Sequence, residues 1–428
     1  MRLVHIADLH LGYRQFQRQT PAGINQREAD VAGSFRAAVD RIIAVAPELI
    51  VVAGDVFHSV RPTNQAIVFA YVEFERLRHA LPQTPVVMIA GNHDTPRSSE
   101  TGSILQLFTR LGIEVVDGEP RRISFPELDL SVLAVPDLLG VRQVALEPDP
   151  SARYNVLVLH GQVEGILPAG GRDDRATSEV SREELRAPSW SYVALGHYHV
   201  CHEVEPNAWY SGATDYTSSN IWAEVRAEEE QGLRGKCFLE RDLATGAHTI
   251  HPLPASRVVR DLPRLDATGM SAAEVNAAIV DLVAREPGGV DNRIVRLVVD
   301  RIPRHVAREL DHRFIRELKR SALNFHLDTR KPLAHRDAVS GSPGRRPTLQ
   351  DIVREKLRRR PITADMNRDA LVEMGMHYLE MAETAAASSG SLQPELLESY
   401  PETEGDASPG PAKAAESDQA YVPDGGVR

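Results

Sequence analysis

Seven oxygen and imidazole donors stand at the ends of short apolar runs in the first half of the chain: Asp8, His10, Asp55, Asn92, His160, His197 and His199. None is a thiolate, so the set suits manganese, iron or zinc in a working site and not a structural cage of cysteines. Seven protein ligands are too many for one ion with an open position. They fit two ions about 3.5–4 Å apart that share a bridging carboxylate. Such a pair clamps the attacking and leaving oxygens of an in-line displacement at phosphorus and draws the pKa of a shared water towards neutrality. The spacing serves the same end. In Asp8-x-His10 and His197-x-His199, alternate residues of an extended chain point the same way. Gly54, Gly91, Gly161 and Gly196 sit beside ligands, where a side chain would obstruct a tight turn. A lone Asp-x-His or Gly-Asp is ordinary in a turn. Five such motifs, each after an apolar run, are not.

The elements that must position these donors are the runs themselves. Residues 3–7, 49–53, 86–90, 156–159 and 192–195 are short and almost wholly apolar, the pattern of strands buried on both faces in a parallel sheet. Ligands of open α/β sheets bind at the carboxyl ends of such strands. Asn25 caps a helix with Glu28 at capping-box spacing, and Val31, Phe35, Ala38, Ile42 and Ile43 form its inner stripe. A second helix carries Ile67, Val68, Tyr71 and Phe74 inward, and a third spans 103–111. The strand–helix alternation predicts crossover connections. Later strands, at 113–116 and 130–135, come without intervening helices. The expected fold is therefore α/β: a two-sheet sandwich with a smaller α/β capping domain and C-terminal helices.

The expected domains are a phosphoesterase domain over 1–255, with a short helix at 181–185, and an α/β capping or DNA-binding domain over 256–332. In the latter a helix starts near 270–274, a strand covers 292–300, a helix 306–314 and a strand 322–328. Residues 333–347 read as a linker, rich in Gly, Ser and Pro at its centre. A helical segment over 348–385 follows, capped by Thr348, with its second helix at 365–383. Residues 386–428, rich in Ser, Pro, Ala, Glu and Asp, read as a disordered acidic tail.

At 428 residues the chain can bury a sizeable core in two or three domains. No apolar run approaches the roughly 20 residues of a membrane span, and the first residues lead into a strand without a signal-peptide pattern. Two cysteines, Cys201 and Cys237, give no disulfide framework. A reducing cytoplasm, beside the nucleoid, is the expected location. The net charge of -11 argues weakly against a chain coated in nucleic acid, although a local basic surface is enough to hold phosphates.

Together Asp8-x-His10, Gly54-Asp55, Gly91-Asn92-His93-Asp94, His160-Gly161 and Gly196-His197-Tyr198-His199 resemble the calcineurin-like metallophosphoesterase superfamily. Longer stretches narrow the likeness: Ala7-Asp-Leu-His-Leu-Gly-Tyr13, the helix with Arg27, Asp30 and Phe35, Gly54-Asp-Val-Phe-His58, and Gly91-Asn-His-Asp-Thr-Pro96. These resemble the SbcD family, the nuclease subunits of a DNA double-strand-break repair complex, across residues 1 to about 220 and more loosely beyond. The resemblance implies two manganese ions, with magnesium, iron or zinc as other candidates. One would take Asp8, His10, Asp55 and His199, and the other Asp55, Asn92, His160 and His197. It makes His93 the catalytic histidine, oriented by Asp94, with His58 on the phosphate. It implies 3'-5' exonuclease and single-strand endonuclease activity, a homodimer, and an SbcC-type coiled-coil ATPase docked on the C-terminal helices. There Leu371, Met374, Met376, Tyr378, Leu379 and Met381 offer an adaptable face. Where the family tends to have Tyr-x-Gly-Ser, this chain has Tyr210-Ser211-Gly212-Ala213, which puts a hydroxyl contact to substrate in question.

For the substrate, Tyr13, Arg14, Gln15, Gln17, Arg18 and Arg61 are suited to phosphate and sugar contacts. The basic run 354–360 reads better as the wet face of its helix. Two other functions use the same motifs: a small-molecule phosphatase or cyclic-nucleotide phosphodiesterase, and a non-catalytic DNA-end scaffold. The first needs neither a second domain nor tethered helices. The second needs no complete ligand set.

Overall fold

The computed structural model describes residues 1–96, 102–137, 145–166, 179–332, 349–359 and 367–388. The expected linker beyond residue 332, Thr348 and the tail from 389 lie outside the described residues. The chain divides into two units, residues 1–333 and 334–428.

Two six-stranded sheets dominate the first unit. One has the order β14-β13-β1-β2-β3-β4: β1 is Arg2–Ile6, β2 Leu49–Ala53, β3 Val86–Ile89, β4 Glu114–Val116, β13 Cys237–Asp242 and β14 His248–Pro252. The strands β1 to β4 run parallel, and β13 and β14 join antiparallel. The other sheet has the order β11-β12-β10-β7-β6-β5. Here β5 is Arg121–Phe125, β6 Leu130–Val135, β7 Tyr154–His160, β10 Tyr192–Gly196, β11 His202–Glu205 and β12 Ala208–Tyr210. Two short strands, β8 (Gln162–Val163) and β9 (Glu179–Val180), pair with each other at the side.

The period of two along each strand explains the unbroken apolar runs. In β2, Leu49, Val51 and Ala53 point into the seam between the sheets, where they meet Val132, Val156, Val158 and Ala194. Ile50 and Val52 point the other way, to Phe35 of α1 (Gln26–Val45), Phe74 of α2 (Asn64–Ala80) and Phe108. Both faces are dry, so neither can carry polar residues. The outer face of the second sheet buries Leu157, Leu159, Val193 and Leu195 against Leu185 and Trp190. Leu185 belongs to α3 (Arg182–Leu185), which Ser181 opens with a capping box. The expected two-sheet sandwich is the observed fold.

Beyond the sandwich, a smaller parallel sheet groups β15 (Val259–Asp261), β16 (Leu265–Asp266), β17 (Ile294–Asp300) and β18 (Asn324–Thr329). It packs on α5 (Ala272–Arg285), α6 (Arg304–Arg308) and α7 (His312–Ser321) around its own core, including Val275, Ile279, Leu297 and Phe325. The single helix expected over 306–314 is two helices, because the Asp311 carboxylate accepts from the N–H groups of Arg313 and Phe314 and starts α7 afresh. The segment Ile104–Leu111 is a 3₁₀ helix and not an α-helix. One helix was not expected at all: α4, Ile221–Glu230, capped by Asn220.

In the second unit, α8 (Leu349–Arg359) packs against α9 (Arg368–Ser388). Gly375 lets the two approach closely, since a Cβ there would collide with Leu357. Met374, Tyr378 and Met381 are exposed. Among the described residues no helix is long and apolar enough to cross a membrane.

Candidate metal centre

Five strand ends deliver the donors to one place. Asp8 and His10 follow β1, Asp55 follows β2, Asn92 and His93 follow β3, His160 ends β7, and His197 and His199 follow β10. The first sheet thus contributes four donors and the second three to a single pocket across their seam. The turns off the strands are sharp. Asp8, His10 and Asp55 have φ of 52°, 45° and 51°, and His197 has 106°. Such left-handed backbone is costly for residues other than glycine and is tolerated where surrounding structure enforces it, as at functional sites. At two glycines the requirement is space. A Cβ on Gly91 would strike the Asp55 carboxylate, and one on Gly196 would strike the Ala53 carbonyl of the neighbouring sheet.

Within the pocket, the ligating atoms of Asp8, His10 and His199 lie within 4.8 Å of one another, as do those of Asp8, Asp55 and His160, and those of His10, His58 and His93. Asp55 Oδ2 is 3.6 Å from His10 Nε2 and 3.6 Å from His160 Nε2, midway between two groups of donors. His10 Nε2 and His199 Nε2 are 3.0 Å apart, the separation expected for two nitrogens each about 2.1 Å from one ion at a right angle. His160 Nδ1 donates to the Ala53 carbonyl at 2.9 Å, which leaves Nε2 as the unprotonated atom of the neutral ring. That Nε2 faces Asn92 Oδ1 at 3.0 Å. Acceptors facing acceptors in a buried pocket call for a cation or a proton between them, and this donor set fits divalent metal ions. The His197 ring stands edge-on to His160, centroids 5.6 Å apart, outside the three closest triads. Its backbone N–H donates to both oxygens of Asp8, at 3.0 and 3.1 Å.

The electrostatics match a site awaiting positive charge. Burial pushes Asp8 up to about 6 against the pull of His160 and His199. Asp55 is equally buried, yet His160 and His93 outweigh that burial and hold it below the usual carboxylate range. Burial and the crowd of His199, His93 and His58 hold His10 well below the usual imidazole value. Burial, aided by His160, lowers His197 to about 3. Burial also opposes charge on His160 and His199, but Asp55 and Asp8 overcome it for the first and Glu224 for the second, so both are raised. A divalent cation held there would be the largest local charge and would favour the neutral form of the imidazoles facing it.

Three further residues flank the donors. His93 Nδ1 donates to the His58 carbonyl at 2.8 Å, and its ring stacks on that of His58, centroids 5.2 Å apart. The His93 backbone N–H donates to Asp55 Oδ1 at 2.9 Å. The Asp94 carboxylate accepts from the N–H groups of Val56, Phe57 and Gly91. It ties the β2 and β3 loops together, so its influence on His93 runs through the backbone. The expected substrate contacts diverge. Tyr13 is buried, its ring edge against His58 with centroids 4.8 Å apart, so it backs the pocket and does not line an open surface. Arg14 is half-exposed and pairs with Glu28 at 2.6 Å. Arg61 is exposed.

Two residues near the donors escaped the sequence reading. Asp137 is fully buried; its N–H donates to the Ala90 carbonyl, and its charge acts on His160 and His197. Glu224 of α4 faces His199. The signal for α4 was present, as Asn220 followed by Ile221 and Val225 at helical spacing, but Glu224 leads a run of acids that reads as solvated surface.

Residues 1–201 match the family described as calcineurin-like phosphoesterase. The DNA double-strand break repair protein Mre11 of Methanocaldococcus jannaschii is 26% identical over 239 residues, covering 53% of this chain and 60% of that protein. The protein of the same name from Saccharolobus solfataricus is 30% identical over 206 residues, covering 47% of this chain and 50% of its own length. That from Archaeoglobus fulgidus is 29% identical over 219 residues, covering 47% and 46%. The chain therefore spans about half the length of the curated relatives it matches.

Proposed function

From the match of its first 201 residues to the calcineurin-like phosphoesterase family, we propose that this chain is a divalent-metal-dependent DNA nuclease acting at double-strand breaks. The observation that carries the reading is the place of Asp55, whose Oδ2 is equidistant from His10 Nε2 and His160 Nε2. Asp8, His10, Asp55 and His199 would hold one cation, and Asp55, Asn92, His160 and His197 a second, with manganese the preferred ion. Bound there, a pair of cations supplies Lewis acidity to the phosphate and an activated water. The protein's own part is orientation and proton handling. His93 gives its Nδ1–H to the His58 carbonyl, so its Nε2 can deliver a proton to the departing oxygen only from the doubly protonated ring. His58, stacked on it, holds the phosphate. Asp94 keeps the loops that carry Asp55 and His93 in register.

The division at residue 255 belongs to the same proposal. The small parallel sheet caps the pocket and adds DNA contacts, with Arg14 and Arg61 contributing beside the metals. The α8–α9 hairpin docks a coiled-coil ATPase, and two copies act as a dimer. DNA as the substrate draws support from the similarity to proteins named for double-strand break repair.

The test is an assay on linear duplex DNA with manganese, with and without the ATPase, beside a chromogenic phosphodiester. The expected result is metal-dependent DNA cleavage that His93→Ala reduces by roughly 10²–10⁴-fold with metal content unchanged. Hydrolysis of the small ester alone, whatever partner is added, overturns the assignment.

A further inference from the structure

Behind His199 lies a buried polar cluster that the roles above leave unused. Glu224 and Glu228 stand one turn apart on α4 and share one face of it. Lys236, just before β13, donates to Glu224, to Glu228 at 2.8 Å and to the backbone carbonyl of His199 at 2.9 Å. The hydroxyl of Tyr216 donates to Glu228 at 2.6 Å, and the Lys236 ammonium sits 4.3 Å from the centre of the Tyr216 ring. Side chains of Glu224, Glu228 and Lys236 are each 6% exposed or less. The cluster meets the metal pocket at His199, through its carbonyl and its ring: Glu224 Oε1 is 3.7 Å from His199 Nδ1, which is buried and has no hydrogen-bond partner among the described residues.

We infer that Glu224 is the positioning residue for His199 as a metal ligand, with Lys236 as the clamp that fixes both. This rests on the two-cation reading above. A metal-binding imidazole presents one nitrogen to the ion and gives the N–H of the other to an acceptor, which sets its tautomer and the plane of its ring. His199 Nε2 faces His10 Nε2, so Nδ1 must carry the hydrogen, and the carboxylate of Glu224 is the acceptor in front of it. The distance exceeds a hydrogen bond, and a small rotation of the ring as Nε2 engages a cation closes it. Lys236 holds the other end of the same residue through its carbonyl. One ammonium thus fixes the backbone of His199 and the carboxylate that reads its ring. The cluster also explains why a lysine is buried here at all: two carboxylates, a carbonyl and an aromatic face surround it.

The experiment titrates manganese into metal-stripped full-length protein by calorimetry and records the melting of the stripped protein alongside. Glu224→Gln is expected to weaken one of the two binding events by roughly 10–100-fold and to leave the other near its original value. In a His199→Ala background the same substitution is expected to change nothing further, which a merely structural role would not produce. If Glu224→Gln does not yield folded protein, Glu224→Asp keeps the charge beside Lys236 but withdraws it by one methylene, and the same loss is expected. Unchanged affinity in Glu224→Gln, or an equal loss with and without His199, overturns the inference and leaves the two-cation centre standing. Failure of the unmodified protein to bind two ions sinks the centre, and the inference with it.

Discussion

Replacing Arg27 by Met is predicted to cost the fold more than any exposed arginine could. Arg27 is fully buried on α1. Its guanidinium donates to Asp30 Oδ2 at 3.2 Å, to Asp215 Oδ1 at 2.7 Å and to the Tyr216 carbonyl at 2.8 Å. The loss falls unevenly on its partners. Asp30 keeps Arg257, which donates to it at 2.7 and 3.0 Å. Asp215, 4% exposed, keeps the Ser34 hydroxyl and the Tyr216 N–H but loses its paired cation. Removing one partner of a buried ion pair costs about 3–5 kcal/mol, because the other charge stays behind. That is a large part of a typical 5–15 kcal/mol of stability. For a unit of this size it lowers the melting temperature by roughly 2 °C per kcal/mol, hence by about 6–10 °C. Adding Asp215→Asn removes the stranded charge and should restore at least about 1 kcal/mol, a coupling that a double-mutant cycle measures. The pocket should respond too, since the guanidinium lies 5.9 Å from the centre of the Tyr13 ring that backs His58. Thermal and urea melts decide the matter. A single variant within about 1 kcal/mol of the parent, or two substitutions whose costs simply add, would show that the charge is not confined as described.

Three more expectations are direct. Stripping divalent ions should abolish phosphodiester hydrolysis and lower the melting temperature, and restoring manganese at 100 times its dissociation constant should return about 2.7 kcal/mol per site; a melt insensitive to chelation counts against the metal centre. Burial, with His248 adding to it, lowers His5 to about 3, so the folded ring stays neutral while the unfolded one takes up a proton below about 6.5. Stability should therefore fall with pH between 6.5 and 3 by up to about 1.4 kcal/mol per unit from this residue, and His5→Phe should flatten that acid limb in urea melts at stepped pH. Gly196→Ala should destabilise by more than about 2 kcal/mol, because the added methyl meets the Ala53 carbonyl across the sheet seam; an ordinary melt for that variant would refute the close approach.

The parts of this molecule that were legible in its sequence share one property: their cause is local or periodic. Runs such as Leu49–Ala53, dry on both faces, can only be central strands, and a glycine or ligand at the end of each marks where it leaves the sheet. The convergence of Asp8, Asp55, His160 and His199 followed from strand direction alone. What escaped depended on distant partners. Asp311 reads as an interior residue of a helix until its carboxylate is seen capping α7. Glu224 and Glu228 look like a wet acidic surface because their cation, Lys236, comes after the helix and its intervening turn. Tyr13 reads as a substrate contact among basic residues, whereas Arg27 and His58 stand against its ring. Charge buried by tertiary pairing leaves no periodic trace.

Because both sheets supply the pocket's donors, the site is completed late in the life of the chain. Asp8 and His10 leave the ribosome almost two hundred residues before His199, and nothing shorter can assemble the pocket they share. Contacts of such separation form only after long loops have closed. A truncated or half-folded copy therefore lacks the assembled pocket, and local opening of either sheet separates the donors before the whole protein unfolds.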